Sequence, residues 1–219
     1  MPILDWTQNK DVRSFDHLYA GAETNTYSRA WPAQVPLDQQ QDGSCTGHGI
    51  ATALASMLDS VGQHRNAARI DRHVAALCLY ELATSRDEFK GDWPTADTGS
   101  SVNGVMKAAR DLGFVASWSW CTSEAAVRHA LLNVSPIVIG IPWFASMDSP
   151  AADGTLTVDP SSGVRGGHCV ALPQFDGHRY RLQNSWGTGW ASNGSGYLAP
   201  TDVQTLLDQG GEMAAFTLG

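Results

Sequence analysis

Three short stretches of the chain carry residues whose types and spacing suit nucleophilic chemistry. Cys45 ends the loop Asp38-Gln39-Gln40-Gln41-Asp42-Gly43-Ser44 and opens a run of helical character. At a helix start the backbone N–H groups and the dipole favour an anion. A thiol placed there ionises more readily, and the thiolate is the nucleophile. The plainer reading is a small residue that packs; Cys78, mid-helix on an apolar face, is expected to be of that kind. His168 follows Gly166-Gly167 and precedes the apolar run Cys169-Val170-Ala171-Leu172. A strand end can present such a histidine to a cleft, where it takes a thiol proton and later returns it to a leaving amine. A satisfied core or surface histidine is the plain alternative. Asn184 opens Asn184-Ser185-Trp186-Gly187-Thr188-Gly189-Trp190. Its side chain would fix the tautomer and aim of an imidazole. Trp186 would cover that bond and keep it dry, which strengthens it. Otherwise the stretch is a Gly- and Trp-rich hairpin turn.

The elements that position these residues follow from periodicity. Ile50, Leu54, Met57, Leu58 and Val61 recur at helical spacing, with Ser44 as N-cap and Gly62 as stop. A second helix is predicted over 69–82, with Val74, Leu77, Cys78 and Leu82 on its buried face, and a third over 102–112, closed by Gly113. Between them runs a polar loop, 84–101, whose acidic residues from Asp87 to Asp97 are expected to be solvated. Glu124–Asn133 reads as a short helix. Then come strand-like runs at 136–141, 169–172 and 179–182, with weaker ones at 197–198 and 214–216. Trp118 and Trp120 alternate with serines and are expected to pack or to rim the cleft. Helices first and strands later argue an α+β fold with a helical half (about 37–122) and a β half (about 123–219). The whole of 1–219 is expected to be one domain, with 1–36 packing across it and the active-site cleft between the halves.

Composition narrows the partners. With a net charge of −8 and a pI near 5.2, the chain repels phosphate backbones and anionic surfaces, so neither nucleic acid nor membrane is expected. No apolar run is long enough to span a bilayer and no signal peptide is visible, which points to the cytoplasm or to signal-less export. Four cysteines are too few for a disulfide scaffold. Cys45-x-x-His48 and His168-Cys169 hint at zinc. Adjacent strand residues face opposite ways, however, so His168 and Cys169 cannot easily share one ion. No metal and no cofactor is expected.

Together the three motifs resemble the papain-like cysteine peptidases: Asn-Ser-Trp-Gly-x-x-Trp, a glutamine upstream of a cysteine at a helix start, and the order Gln, Cys, His, Asn. The resemblance covers about residues 30–219. It implies an α+β fold with a mainly antiparallel, barrel-like β half, and a thiol protease (hydrolase) acting on polypeptides through a thioester acyl-enzyme. Cys45 would be the nucleophile, His168 the base and then acid, and Asn184 the orienting member of the catalytic triad. Gln39 would supply the side-chain donor of the oxyanion hole beside the Cys45 N–H. Gln40 and Gln41 compete for that role, and spacing picks Gln39. Substrate would be bound by Gly99, Ser100, Ser101, Gly140, Gly166, Gly167 and Trp186. Gly140 and Gly166 would wall one wide specificity pocket, with Ser101 and Val102 opposite.

Departures point to a divergent, disulfide-poor member of microbial or viral type. Asp42 stands where the family often has a bridged cysteine, Thr46 replaces a tryptophan, and Cys169 follows the histidine. Few residues precede Cys45 compared with the family's inhibitory pro-segments, so a chain made active is expected, with Cys45 and His168 held as thiolate and imidazolium. Two other readings share the fold: an inactive binding protein, and an amidase acting on cell-wall peptides or conjugates.

Overall fold

A computed structural model describes residues 3–8, 18–19, 21, 27–63 and 72–219. In chain order the elements are β1 (Arg29–Ala30), α1 (Cys45–Ser60), α2 (Arg72–Thr84), α3 (Val102–Asp111), β2 (Val115–Trp120), α4 (Glu124–Asn133), β3 (Ile137–Phe144), β4 (Val164–Phe175), β5 (Tyr180–Gln183), β6 (Ser195–Leu198), α5 (Pro200–Asp208) and β7 (Glu212–Leu218). All strand pairs are antiparallel. The sheet runs β2-β7-β3-β4-β5-β6, and β1 pairs with β4.

The central strands are buried on both faces, which is why they read as unbroken apolar runs. Alternate β3 residues serve two cores. Ile137, Ile139, Ile141 and Trp143 pack with Val127 and Leu131 of α4 and with Val203 and Leu206 of α5. Val138 packs on the other side with Ile50 and Leu54 of α1 and with Val105 and Met106 of α3. Helix α1 is buried from Cys45 through Ser56, so it forms the spine of the helical half.

Two helices begin at serine caps that were not anticipated. Ser101 and Ser123 cap α3 and α4 by accepting the N–H of Gly104 and Ala126. Ser44 precedes α1 without a side-chain cap bond. The buried face predicted for α2 is wrong. Val74 and Cys78 are exposed, whereas Ala76, Leu79, Tyr80 and Ala83 face inward. Close approach selects the small residues: a Cβ on Gly47 of α1 would sit 2.1 Å from the carbonyl oxygen of Ala76. Predicted residues 69–71 of that helix lie outside the described ones. Strand β2 and helix α5 were not anticipated. Trp118 and Trp120 lie in β2, paired to Phe216 and Ala214 of β7, and so belong to the sheet edge rather than to a cleft rim.

Candidate active site

Cys45 is the first residue of α1 and is wholly buried. His168 lies on β4 opposite Ile141 of β3, and Asn184 directly follows β5. The imidazole Nε2 and Asn184 Oδ1 are 2.7 Å apart. The Ser185 N–H donates to the same Oδ1 at 2.8 Å, which fixes the amide orientation. Nε2 must therefore carry the proton, and Nδ1 is left as a bare acceptor. That Nδ1 is buried and has no hydrogen-bond partner among the described residues.

Tryptophans enclose this pair. Trp186 stacks on His168 with centroids 4.7 Å apart at 24°. Trp143 meets the imidazole edge-on at 5.1 Å, and Trp190 packs against both indoles. Trp186 thus lies over the imidazole, beside its bond to Asn184. Trp143 was not singled out in the sequence; it reads there as ordinary strand filling.

Gln39 is buried, while Gln40 and Gln41 are exposed. The Gln39 N–H donates to the Ser185 carbonyl at 2.8 Å, and the Ser185 hydroxyl donates to Gln39 Oε1 at 2.6 Å. With Oε1 held, Nε2 points toward the start of the chain, donating to Asp42 O at 2.9 Å and Ile3 O at 3.3 Å.

The segment of residues 3–8 lies in the cleft. The Trp6 N–H donates to Gly167 O at 2.9 Å, Thr7 N–H to Ser100 O at 3.0 Å, and Ser100 N–H to Asp5 O at 3.2 Å. An added Cβ would come within 1.8 Å of Asp5 O at Gly99, 1.7 Å of Trp6 O at Gly167 and 2.1 Å of Trp6 Nε1 at Gly140. Gly166 faces Leu4 instead, at 2.8 Å. Two expected binding side chains are engaged elsewhere. Ser100 Oγ donates to Asp87 Oδ2 at 2.6 Å, and Ser101 Oγ caps α3.

Charge follows from this burial. Desolvation pushes the Cys45 thiol up to about 12, although the N–H groups of Cys169, Asp5 and Thr46 favour its ionisation, and the Asp5 carboxylate opposes it. Burial drives His168 down to about 4 against the pull of its bond to Asn184, and His48 adds to the lowering. Burial thus works against charge on both groups in this state, and so against the expected thiolate and imidazolium.

The loop bearing Cys45 is tethered. Gly43 N–H donates to Asp97 Oδ2 at 2.8 Å, Tyr80 O–H to Asp97 Oδ1 at 2.5 Å, and Gly99 N–H to the Tyr80 oxygen at 3.1 Å. Asp97, exposed as expected, thus also tethers the loop, and half-buried Asp87 holds Ser100. His48 hydrogen-bonds through its ring to Ser44 O and His73, and no cluster of three potential metal ligands occurs among the described residues. No helix among them is long and apolar enough to cross a membrane.

No protein-family model and no curated protein matches the sequence. Solved structures do. Xylellain, a cysteine protease from Xylella fastidiosa, aligns with a TM-score of 0.76 at 14% identity, covering 98% of this chain and 95% of that one. Procathepsin B S9 from Trypanosoma congolense gives 0.69 at 12%, covering 99% and 87%. Procathepsin L 3 from the Tenebrio molitor larval midgut gives 0.66 at 15%, covering 92% and 73%. With its helical half, its antiparallel sheet and these neighbours, the chain has the papain-like cysteine peptidase fold.

Proposed function

We propose that the chain is a thiol peptidase that cleaves polypeptides through a Cys45 thioester. The observation that carries this reading is the bare Nδ1 of His168, in a ring whose other nitrogen is held by Asn184 at 2.7 Å. A ring fixed in that tautomer has one task open to it, to accept a proton. With substrate in the cleft, Nδ1 takes the Cys45 proton as Sγ attacks the scissile carbonyl carbon. The carbonyl oxygen becomes an oxyanion, stabilised by Gln39 Nε2–H and the Cys45 N–H. As the intermediate collapses, the C–N bond breaks and the imidazolium returns its proton to the departing amine. Water, deprotonated by His168, then attacks the thioester. Hydrolysis frees the acid and restores the Cys45 thiol.

The tryptophan enclosure suits this chemistry, since a dry His–Asn bond keeps the ring aimed through both proton transfers. The test is hydrolysis of casein and of a peptide-amide panel over long incubation. Peptide fragments are expected, with none from Cys45→Ala. Hydrolysis that survives Cys45→Ala, or none on any substrate even from a Trp6→Ala variant whose Cys45 reacts with iodoacetamide, overturns the reading.

A further inference from the structure

Three indoles surround His168, and they differ in how they are held. The N–H groups of Trp186 and Trp190 are buried without a hydrogen-bond partner among the described residues. Trp143 is wholly buried and donates its Nε1–H to Asp148 Oδ1 at 3.0 Å. Among those residues it is the one member of the cluster with a polar anchor. It also touches each of the other rings. Its centroid lies 5.1 Å from that of His168, at 90°, 5.0 Å from that of Trp186 and 6.1 Å from that of Trp190.

The anchor is itself braced. Strands β3 and β4 pair Trp143 with Gly166 and Phe144 with Val164, which leaves Arg165 as an extra residue on β4. A bulge of this kind re-aims a side chain, and Arg165 Nη1 meets Asp148 Oδ2. Asp148 closes the short helical turn Ala145–Asp148. The start of that turn is held by the Ala145 N–H on Gly163 O at 3.0 Å and the Ser146 N–H on Ser162 Oγ at 3.1 Å. The two carboxylate oxygens of Asp148 thus have separate tasks. One fixes the indole, and the other ties it to the strand that carries His168. The bond to Asn184 fixes where one imidazole nitrogen points but not the plane of the ring. Trp186 sets that plane from the face and Trp143 from a perpendicular side.

We propose that Trp143 is a positioning residue for His168, anchored by Asp148 and braced by Arg165. The inference rests on the peptidase reading of the site. Trp143 acts through the ring it holds: an imidazole that must take and return a proton at Nδ1 loses rate when its plane wanders.

The test combines kinetics with proton NMR of His168 in the full-length chain. Asp148→Leu removes both oxygens at similar volume, whereas Asp148→Asn keeps an acceptor for the indole. Asp148→Leu is expected to lower kcat on a peptide substrate by about tenfold with KM within about twofold, and Asp148→Asn to regain most of the loss. In a Trp143→Phe background, which has no N–H to anchor, Asp148→Leu should cost nothing further. Ring currents of the indoles displace the His168 ring-proton resonances, so NMR reads the arrangement without turnover. Those resonances should move in Asp148→Leu and return in Asp148→Asn. Arg165→Met, at the partly exposed end of the chain of contacts, should move them less, and it serves if Asp148→Leu does not fold. His168 resonances that stay in place in both Asp148→Leu and Arg165→Met overturn the proposal. So does a loss carried by KM, or one of equal size in the Trp143→Phe background. Resonances that move as expected in a protein that hydrolyses no peptide sink the peptidase reading and leave the Trp143 brace standing.

Discussion

Ser185 joins two parts of the site that are far apart in sequence. Its N–H fixes the Asn184 amide, its hydroxyl fixes the Gln39 amide, and its carbonyl holds the Gln39 backbone. Ser185→Ala keeps both backbone bonds and loses only the grip on Gln39 Oε1. One neutral hydrogen bond is worth about 1 kcal/mol, and an oxyanion donor matters only once the oxyanion forms. We therefore expect kcat on a peptide substrate to fall by about tenfold while KM stays within about twofold. Steady-state kinetics of the variant decides; a rise in KM at unchanged kcat would place Ser185 in substrate binding instead. Cys45, His168, Asn184 and Gln39 stand out as candidates in the sequence because short motifs carry them. Ser185 sits inside one of those motifs yet reads as a spacer, since its partner is 146 positions away. The burial of Cys45, which works against its ionisation, was not legible either. It depends on what covers Cys45, which no local pattern records.

At the scale of elements, the close contact of α1 with α2 sets two competing effects against each other. Alanine in place of a helical glycine is favoured by about 1 kcal/mol through propensity. At Gly47 the new methyl would meet the backbone oxygen of Ala76, at 2.1 Å, which cannot rotate away. Overpacking of this kind costs about 1–3 kcal/mol, so Gly47→Ala is expected to be net destabilising. A lower urea midpoint at unchanged m-value checks it. The tether through Asp97 gives a second case. Asp97→Ala strands the Gly43 N–H and the Tyr80 hydroxyl beside the loop that carries Cys45. Asp97 is itself exposed, so a loss of about 1–2 kcal/mol is expected, read from the same denaturation. The elements that the sequence revealed are those with local punctuation, such as α3 and α4 with their serine caps. Those it hid depend on distant partners. Strand β2 gains its identity from β7, and α5 is announced only by Pro200 and by Asp202, which accepts the Ala199 N–H. The buried face of α2 was misread because apolarity favoured Val74 and Cys78, whereas contact with Gly47 selected the smaller Ala76.

At the scale of the whole molecule, the docked segment couples the start of the chain to the charge state of the cleft. Asp5 has its pKa raised, first by burial and then by the facing Asp97 carboxylate. The other titratable groups beside it are the Cys45 thiol and, through Asp97, the Tyr80 hydroxyl. A raised value means that the docked state binds the Asp5 proton more tightly than the released state does. This contribution to docking is therefore complete below the ordinary carboxylate value and fades as pH rises through the docked one. Release should thus become easier toward neutral pH. Thiol reactivity also rises with pH, so the two effects must be separated. Asp5→Asn keeps the shape and removes the titration. It is expected to dock more tightly than wild type at neutral pH, where wild-type Asp5 is charged against Asp97, and about equally in acid. The rate of Cys45 reaction with a dipyridyl disulfide, taken as the wild-type to Asp5→Asn ratio, should exceed one at neutral pH and fall toward one as the medium is acidified. Thiolate formation cancels in that ratio once both forms are open. A ratio flat across pH would mean that Asp5 titrates without moving the segment, and one that climbs in acid would reverse the sign of the coupling.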